Sequence, residues 1–369
     1  MTKNVIILAN SNMLYPKTYN NNNNNFNNLI INNNGNMIFM HAVINLITND
    51  KKYYNDISLD EANDAECLVV PAANWISSSL DLTSLVNYLK NIQIPIIILG
   101  LGAQADTYDN MPTQLHHSAL NLIELMKNKE CVVGSRGPIS QQILANHGID
   151  STIIGCSSNL INMDENFIEK LAHKWNKPSQ FCVGIGNDIN TKDEIKILAE
   201  RMIFEFGTKY GFYLQQSYMT AINALRQNNI YAESYVSQEL YHKIGINCKT
   251  YDEFMGLLIK NSRIYISIDQ WMEDVARMDL CFGTRIHGNI LAMQSQCPSV
   301  VIYHDARTKE LAETMEYPRI SVENFTNIRS IDELKDKCIV NFDLYKTKRL
   351  KLKQNLKNIL SKYNVSIYE

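Results

Sequence analysis

The chain has 369 residues, of which 45% are hydrophobic and 20% are charged, and its formal net charge is −3. This length and composition are typical of a globular protein with two domains, and the near-neutral balance gives no electrostatic case for nucleic acid as the main partner. The eight cysteines are scattered without a C-x-x-C pair, and no stretch reaches the roughly 18 consecutive apolar residues of a membrane span, so we expect a cytoplasmic protein with reduced thiols.

The first half of the chain alternates short apolar runs with amphipathic segments. Runs at residues 5–8, 67–71, 95–99 and 131–133 predict buried strands, and the segments that follow them predict helices. This alternation is typical of an α/β fold in which a parallel sheet carries helices on both faces.

A second alternation of strands and helices begins at the apolar run over residues 181–186 and continues to the run over residues 299–303. The stretch between the two alternations is predicted to be a connection. The expected division is a first domain over residues 1–165, a linker over 166–179, a second domain over 180–335 and a C-terminal helical segment over 336–369.

Asparagine dominates the segment between the first strand and the first helix, with an unbroken run from Asn20 to Asn25. Asparagine suits turns and tolerates left-handed backbone, so a mobile loop is predicted. This loop is either a lid over an acceptor or the product of biased base composition. It ends in Gly35-Asn36 before a predicted helix over residues 37–44, and a strand, a polar loop and a helix commonly build sites in α/β folds. Asn36 is therefore a candidate binding residue.

Two further candidates follow strands of the first domain. Residues 100–105 match G-x-G-x-x-A, the looser dinucleotide fingerprint, but they lie outside the first βα unit and lack the acidic residue that normally follows a second strand. They predict a tight turn between a strand and a helix, from which Gln104 points into a cleft. Arg136 also lies between a strand and a helix, where it is either a surface arginine or a ligand for an anion.

The most informative stretch begins with a short buried strand at residues 280–282, which Gly283-Thr284 breaks before a helix that is predicted to start near His287. Arg285 and His287 then lie at a strand-to-helix turn, where free backbone N–H groups and the positive end of the helix dipole form an anion site. The guanidinium of Arg285 adds two parallel donors for phosphate or carboxylate, and His287 adds a proton that can move near neutral pH.

A second strand-to-helix turn follows the apolar run at residues 299–303. The helix after it carries Arg307 and Lys309 in its first turn, where cations oppose the helix dipole. Such cations make sense if an anion binds at the helix start. The alternative for Arg307 is an ion pair with Asp305 or Glu310.

No metal-binding constellation is expected. His116 and His117 are adjacent, so their side chains are predicted to point apart, and no carboxylate flanks them at ligand spacing. The sequence therefore predicts no metal requirement.

The C-terminal residues 344–363 predict a long helix with an apolar face and a basic face. Its apolar positions are Leu352, Leu356, Ile359, Leu360 and Tyr363. Its basic positions are Lys346, Lys348, Arg349, Lys351, Lys353, Lys357 and Lys362. The helix either contacts anionic lipid at the inner face of the cell membrane or packs on the body of the protein with a solvated basic face.

The residues around His287 resemble the polysaccharide pyruvyl transferase family. That family usually carries a G-T-R-hydrophobic-H-G turn, an apolar helix, a strand that begins with a small residue and proline, and then D-x-R-x-x-E-L. The matching stretches here are residues 282–293, 298–302 and 305–311.

Weaker matches to the same family lie upstream. They are Ser135-Arg136 with Ser140, residues 154–158, and Gly35-Asn36, which resembles the family's entry turn. Ser157 departs from the pattern, because the family usually has a proline after the cysteine.

The resemblance implies two Rossmann-like domains that face a cleft in a glycosyltransferase-B-like arrangement, with the first domain on the acceptor side and the second on the donor side. It also implies an enzyme that moves the pyruvyl group of phosphoenolpyruvate onto two hydroxyls of a sugar, as a ketal, during biosynthesis of a capsule or exopolysaccharide. No cofactor is implied beyond this donor substrate. The saccharide acceptor is nucleotide-linked, lipid-linked or polymeric.

The resemblance also implies roles for particular residues. The family's histidine is assigned as general acid and the arginine two positions before it as a donor-binding residue, so these roles carry over to His287 and Arg285. A pocket for phosphate and carboxylate on three carbons needs several cations, and Arg136, Arg307 and Lys309 are candidates. The helix start would lower the pKa of His287 and the bound trianion would raise it, and we expect the substrate to win. The other predicted substrate-binding residues are Gly288, Asn36 and Gln104.

Two alternatives remain on the sequence alone. A glycosyltransferase of the same architecture would use Arg285 and His287 to bind the diphosphate of a nucleotide sugar. A non-catalytic protein that binds glycan phosphates would need the cation but not a titratable proton donor.

Overall fold

A computed structural model describes residues 4–9, 34–104, 114–186, 191–216, 235–265 and 267–368 of the chain. The asparagine run from Asn20 to Asn25, with its predicted role as a lid, lies outside the described residues, as does Ala105 of the G-x-G-x-x-A match. The described residues form two parallel six-stranded sheets with helices around them.

The first sheet is built from the apolar runs in the first half of the chain. Its strands are β1 (Val5–Ile7), β2 (Lys51–Tyr53), β3 (Cys67–Pro71), β4 (Ile96–Leu101), β5 (Cys131–Ser135) and β6 (Thr152–Ile153). They pair in the order β2-β1-β3-β4-β5-β6, and every pair is parallel. Every residue of β3 and β4 is buried, which is why these strands read as continuous apolar runs.

Helices cover both faces of the first sheet. They are α1 (Gly35–Leu46), α2 (Leu59–Asn63), α3 (Thr83–Lys90), α4 (His117–Asn128) and α5 (Pro138–Asn146), with 3-10 helices over Tyr54–Asp56 and Ser157–Leu160. One face packs against Val86 of α3, Leu122 of α4 and Ile143 of α5. The other face packs against Val43 and Ile44 of α1.

The second sheet begins after a connecting helix. Helix α6 (Phe167–Trp175) occupies the residues that were expected to form a linker, and its Phe167 and Leu171 are buried, so this connection is folded. The strands of the second sheet are β7 (Cys182–Gly186), β8 (Gly211–Gln215), β9 (Ser262–Arg263), β10 (Leu280–Gly283), β11 (Ser299–Tyr303) and β12 (Arg319–Ser321). They pair in the order β12-β11-β10-β7-β8-β9, and every pair is parallel.

Helices again cover both faces of the second sheet. They are α7 (Glu194–Tyr210), α8 (Tyr235–Ile244), α9 (Tyr251–Asn261), α10 (Ile268–Ala276), α11 (Ile286–Gln294), α12 (Ala306–Met315), α13 (Val322–Phe325) and α14 (Ile331–Lys337). One face packs against Ile203 of α7 and Phe254 of α9. The other packs against Trp271 of α10 and Leu291 of α11.

Both sheets are doubly wound, the second in the Rossmann order and the first in the related flavodoxin-like order. The strand order reverses direction between β1 and β3 in the first sheet and between β7 and β10 in the second. Open α/β sheets bind ligands at the carboxyl ends of the strands beside such a reversal. The expected fold class, two Rossmann-like domains that face a cleft in a glycosyltransferase-B-like arrangement, is confirmed.

Helix α1 joins the two domains. The backbone N–H of Asn34, at the N-cap of α1, donates to the carbonyl of Gln216 (3.0 Å), and its Nδ2 donates to the carbonyl of Tyr265 (2.8 Å). Ile38 packs with Trp271 in the core of the second domain. The start of α1 is therefore fixed against the second domain although the helix follows a strand of the first.

The C-terminal helix α15 (Phe342–Leu360), which a 3-10 helix over 361–363 extends, crosses back onto the first domain. Leu356 and Leu360 are buried in the core beside β1 and α1, and Ile367 forms an antiparallel bridge with Ile47. The apolar face that one alternative assigned to a membrane is covered by the protein itself, so the structure favours the packed helix. None of the helices in the described residues is long and apolar enough to cross a bilayer.

The expected position of Arg349 on the solvated basic face is wrong. Arg349 is buried, its Nε donates to the carbonyl of Asn159 (3.0 Å), and its guanidinium carbon lies 4.6 Å from the ring centroid of Phe167. This arginine anchors the helix at the junction of the domains, because its partners lie at the end of the first domain and the start of α6.

Candidate active site

A cleft between the two domains is the candidate active site, and it encloses about 560 Å³ of space, including its mouth. The first domain lines it with Asn36, Ala73, Asn74 and Arg136. The second domain lines it with Gln216, Thr284, Arg285, Ile286, His287, His304, Arg307, Thr308 and Leu311. All of these residues except Leu311, which lies within α12, follow strands or lie in the first turn of a helix. The cleft therefore lies at the carboxyl edges of both sheets.

A buried asparagine holds the turn after β10. The Nδ2 of Asn289 donates to the carbonyls of Gly283 (2.9 Å) and Arg285 (2.8 Å), and the hydroxyl of Ser299 donates to its Oδ1 (2.7 Å). These bonds fix the backbone between β10 and α11. Arg285 is therefore held at the N-cap of α11 and His287 in the first turn of that helix, as the sequence predicts.

His287 is 7% exposed and lines the cleft. Its Nε2 lies 3.7 Å from the Sγ of Cys156, and its ring centroid lies 5.4 Å from that of Phe39. Both contacts come from the first domain. The orientation of the imidazole is therefore set by the docking of the two domains and not by its own helix alone.

The cleft makes the imidazole of His287 hard to protonate in the ligand-free protein. Burial lowers its pKa well below the ordinary value, and the guanidiniums of Arg136, Arg285 and Arg307 lower it further. The direction agrees with the expected lowering, but the main causes are burial and three cations and not the helix start. The ligand-free imidazole is therefore neutral at pH 7.

Arg136 is a buried arginine and not a surface one, since it is 3% exposed. Its Nε donates to the carbonyl of Gly100 (2.8 Å), its Nη1 to the Oδ1 of Asn74 (2.9 Å) and its Nη2 to the carbonyl of Ala72 (3.3 Å). A Cβ on Gly102 would lie 2.4 Å from the Oδ1 of Asn74 and 2.8 Å from the Cδ of Arg136, so this glycine makes room for both side chains. Arg136 thus brings a fixed positive charge to the cleft.

Asp305 organises the turn after β11. It is the N-cap of α12, and its Oδ1 accepts from the backbone N–H and the hydroxyl of Thr308, both at 2.7 Å. Its Oδ2 accepts from the Nη2 (2.8 Å) and the Nε (3.2 Å) of Arg307. The ion pair weighed for Arg307 therefore forms, with Asp305 and not with Glu310, and it fixes the guanidinium at the cleft.

His304 lines the cleft but was missed by the sequence analysis. Its Nε2 lies 3.6 Å from the Oδ2 of Asp305, and its buried Nδ1 has no hydrogen-bond partner among the described residues. Burial lowers the pKa of His304, and the charge of Asp305 opposes that shift. The signal was its position, because His304 directly follows β11 just as Thr284 directly follows β10.

Glu310 joins the two domains beside the cleft. Its Oε1 accepts from the backbone N–H of Ser140 (2.8 Å), and its Oε2 accepts from the hydroxyl of Ser140 (3.0 Å). Ser140 lies in the first turn of α5, so a carboxylate of the second domain caps a helix of the first. Burial raises the pKa of Glu310, and the bonds from Ser140 oppose that shift. Glu310 belongs to the stretch 305–311, which resembles the family closely, and Ser140 belongs to one of the weaker upstream matches. This contact therefore joins two segments that both resemble the family.

Two other predicted site residues, Asn36 and Gly288, lie in the first turns of α1 and α11. Asn36, in the first turn of α1, lines the cleft. Gly288 does not, and a Cβ there would lie 2.9 Å from the Oε1 of Gln216 and 2.9 Å from the Cγ2 of Ile185. Gly288 therefore lets α11 approach the ends of β7 and β8, and its predicted role in substrate binding stays a prediction.

The structure does not bring Lys309 or Gln104 to the lining of the cleft. The Nζ of Lys309 lies 3.9 Å from the Oε1 of Glu313, its neighbour on α12. The Oε1 of Gln104 accepts from the hydroxyl of Ser77 at 3.3 Å. A direct binding role for either residue stays a prediction.

The argument against a metal site is wrong in its premise. The ring centroids of His116 and His117 lie 4.1 Å apart, and Asp81 brings a carboxylate to them from a distant part of the sequence. His116 is the N-cap of α4 and His117 is its first residue, so the backbone changes direction between them. Alternation along a strand does not apply at a helix start, and the two rings lie side by side.

Comparison with known proteins identifies one family. The family described as polysaccharide pyruvyl transferase matches residues 14–306, which is most of the chain. The match includes Arg136, Arg285 and His287 and ends just before Arg307. A search of curated proteins gives no significant match.

Several solved structures are similar in fold. UDP-N-acetylglucosamine 2-epimerase from Rickettsia bellii is 12% identical, with 99% of this chain and 97% of that chain covered and a TM-score of 0.47. The UDP-GlcNAc 2-epimerase of Methanocaldococcus jannaschii is 12% identical, with 86% of each chain covered and a TM-score of 0.43. The wall teichoic acid polymerase TagF is 11% identical, with 98% and 90% covered and a TM-score of 0.42. At this identity the likenesses say nothing about substrate or reaction.

Proposed function

The chain belongs to the polysaccharide pyruvyl transferase family, and on that premise we propose that it transfers the pyruvyl group of phosphoenolpyruvate to two hydroxyls of a sugar as a ketal. The acceptor is a saccharide on the route to a cell-surface polysaccharide, such as a capsule or exopolysaccharide. One observation carries the proposal: three guanidiniums converge on one buried imidazole at the cleft between the domains.

The arginines of the cleft suit a small donor with several negative charges. Phosphoenolpyruvate carries a phosphate and a carboxylate on three carbons, and guanidinium groups bind both in a two-pronged geometry. In the proposal, Arg285 contacts the donor together with the backbone N–H groups at the start of α11. Arg307, oriented by Asp305, contacts it from the start of α12. Arg136 acts mainly through its charge, because its donors are already bonded to its own domain.

His287 supplies the proton for the methylene carbon of the donor. The same arginines that lower its pKa in the ligand-free protein are offset when a trianion binds beside them, so the pKa rises in the complex. His287 therefore takes up a proton as the donor binds and gives it to the methylene carbon. The neighbouring carbon becomes an oxocarbenium-like centre that a sugar hydroxyl attacks.

His304 accepts the proton of the attacking hydroxyl. Burial keeps its imidazole neutral, and its Nδ1 has no protein partner among the described residues. The carboxylate of Asp305 lies beside its Nε2 and stabilises the imidazolium that forms. The carbon–oxygen bond to phosphate then breaks, and the second hydroxyl closes the ketal ring. Of the two hydroxyl protons lost, one is balanced by the new methyl group and one leaves on the phosphate.

The acceptor approaches from the first domain. Asn36 and Asn74 present amide groups on that wall of the cleft, and amides can both donate to and accept from sugar hydroxyls. The eight cysteines are free thiols, which suits the reducing conditions of the cytoplasm. The acceptor in this setting is nucleotide-linked, lipid-linked or polymeric.

The test is incubation of the full-length protein with phosphoenolpyruvate and a panel of such acceptors. We expect release of inorganic phosphate together with an acceptor that gains the mass of one pyruvate ketal. Turnover of a nucleotide sugar with phosphoenolpyruvate left intact would identify a glycosyltransferase instead. Binding of glycan phosphates without turnover of any donor would identify a binding protein.

A further inference from the structure

A cluster of two histidines and one aspartate lies on the first domain, outside the cleft lining. Asp81, in the loop before α3, His116 and His117 each offer one ligand atom, and these atoms all lie within 4.8 Å of one another. None of the three lines the cleft, and the proposed transfer reaction uses none of them. Imidazole nitrogen and carboxylate oxygen are the donor types of mononuclear zinc sites.

A buried serine connects the two segments that carry the cluster. The hydroxyl of Ser118, which is fully buried, accepts from the backbone N–H of Leu82 (2.8 Å) and donates to the carbonyl of Leu80 (3.4 Å). The same oxygen lies 2.7 Å from the Nδ1 of His116. Ser118 thus contacts both chain neighbours of Asp81 and the ring of His116. A buried residue of the first domain therefore holds the two segments of the cluster together.

Ser118 also orients the ring of His116. The backbone N–H of Ser118 donates to the Nδ1 of His116 at 3.3 Å, and the hydroxyl oxygen of Ser118 lies 2.7 Å from the same nitrogen. Because Ser118 occupies Nδ1, Nε2 is the nitrogen left for a metal ion, which binds a neutral imidazole and displaces the proton that it meets. Metal-binding histidines are commonly oriented through their other nitrogen.

The two hydrogen bonds that hold Asp81 use only one of its two carboxylate oxygens. Its Oδ1 accepts from the backbone N–H (2.8 Å) and the hydroxyl (2.6 Å) of Thr83. Neither bond uses Oδ2. The carboxylate therefore keeps one oxygen that a cation can take.

We propose that Asp81, His116 and His117 form a binding site for a divalent transition metal ion of the Zn²⁺ type, with water at the remaining position. Bonds of about 2.0–2.1 Å at tetrahedral angles place ligand atoms about 3.3 Å apart, so ligand atoms that lie within 4.8 Å of one another must close by at most about 1.5 Å. His117 is exposed at the protein surface, so its side chain can make most of that movement while Thr83 holds Asp81. Hard ions such as Mg²⁺ and Ca²⁺ are disfavoured because they prefer all-oxygen sites.

The site binds the protein's surface segments together and does not depend on the proposed transferase reaction. A metal ion held by Asp81 on one side and the two histidines on the other crosslinks the loop before α3 to the start of α4. Binding to the folded state alone raises the free energy of unfolding. Zinc should therefore raise the melting temperature of the protein.

The test is calorimetric titration of the metal-stripped, full-length protein with Zn²⁺ alone. We expect one ion per chain, with affinity lowered at least about tenfold in His116→Gln and in His117→Gln and unchanged in the matched control His147→Gln, which lies outside the cluster. Binding that is absent, or equally tight in the double variant His116→Gln/His117→Gln, overturns the proposal.

Two further measurements separate this site from the eight thiols and from a purely structural role of Ser118. Co²⁺ bound at the site should show d–d absorption without a thiolate-to-cobalt band, and a thiolate band would overturn the assignment. Ser118→Ala should weaken Zn²⁺ binding by about 10–100-fold while helix content is retained. If Ser118→Ala does not fold, the surface variant Asp81→Asn tests the site instead. It should also weaken Zn²⁺ binding, and an unchanged affinity for Zn²⁺ would overturn the proposal.

Discussion

The two walls of the cleft use their polar groups in different ways. On the first-domain wall, Arg136 is hydrogen-bonded to three acceptors of its own domain. On the second-domain wall, the Nδ1 of His304 has no partner among the described residues, and the Nε2 of His287 meets the sulfur of Cys156 at 3.7 Å. A polar group that the protein has already bonded gives position and charge, whereas one without a protein partner is available to a substrate.

The two walls are therefore expected to have different roles in the site. The first wall and the contact between Glu310 and Ser140 form a rigid frame. The second wall carries His287 and His304, to which the proposed reaction assigns the proton transfers. Substitutions on the second wall should therefore reduce turnover or donor affinity. Substitutions in the frame should reduce the free energy of unfolding.

The largest effect is expected for His287→Gln. The substitution keeps a polar side chain but removes the group that would protonate the donor, so kcat should fall by roughly two to four orders of magnitude while phosphoenolpyruvate still binds. Steady-state kinetics and equilibrium dialysis with the donor measure the two quantities. A kcat within about tenfold of the unaltered protein would remove His287 from the role of general acid.

The next largest effect is expected for Arg285→Gln. Loss of a charged hydrogen bond costs about 1.5–3 kcal/mol, so donor affinity should fall by about 10–150-fold. Arg277→Gln is the matched control, because Arg277 pairs with Glu273 on the exposed side of α10 and should bind the donor normally. Equal affinities in the two variants would argue against direct contact between Arg285 and the donor.

Donor binding should be accompanied by uptake of up to one proton at about pH 7.5, above the ordinary histidine pKa of about 6.5. The pKa of His287 is lowered in the ligand-free protein, so the ring is neutral there and becomes charged only when the trianion offsets the three arginines. Calorimetry in buffers of different ionisation enthalpy measures the uptake. His287→Gln should abolish it, and a binding enthalpy independent of buffer in the unaltered protein would contradict this coupling.

Glu310→Ala should affect stability more than chemistry. The substitution leaves the backbone N–H and hydroxyl of Ser140 without their partner in a buried contact, which should lower the free energy of unfolding by about 1–3 kcal/mol. Glu313→Ala on the same helix is the control, and its exposed pair with Lys309 should be worth less than about 1 kcal/mol. Denaturant unfolding of both variants makes the comparison, and equal losses would show that Glu310 does not hold the frame.

The smallest effect is expected for Lys309→Ala, which lies outside both walls. Because its ammonium faces Glu313 on the surface of α12, donor affinity should change by less than about twofold. A loss of tenfold or more would show that Lys309 reaches the donor in the complex, as its position in the first turn of the helix suggested.

Many of the candidate site residues could be predicted from the sequence because they occupy one kind of position along the chain. Asn36, Arg136, Arg285, His287 and Arg307 each lie just after a strand or at the start of a helix, and the structure brings all five to one cleft. The carboxyl ends of parallel strands share one edge of a sheet, so residues at such positions meet without further information.

The residues that were missed act across the domains or beside the motif. Glu310 stood in the motif, but its partner Ser140 lies in the other domain, and no pattern in either segment announces the bond. Asn74 is a site residue because it meets Arg136. His304 also directly follows a strand, but the sequence analysis named only the charged residues that come after it in the same segment.

By itself, the sequence determined the alternation of buried strands and amphipathic helices, the two α/β halves and the strand-to-helix turns that carry Arg285 and Arg307. These features depend on side-chain periodicity and backbone preference within a few residues. Only the tertiary structure decided the strand order, the half-buried edge strands β2 and β12, the docking of α15 on the first domain and the meeting of Asp81 with two histidines. Those outcomes depend on which surfaces pack together over long sequence separations, and no local pattern encodes that choice.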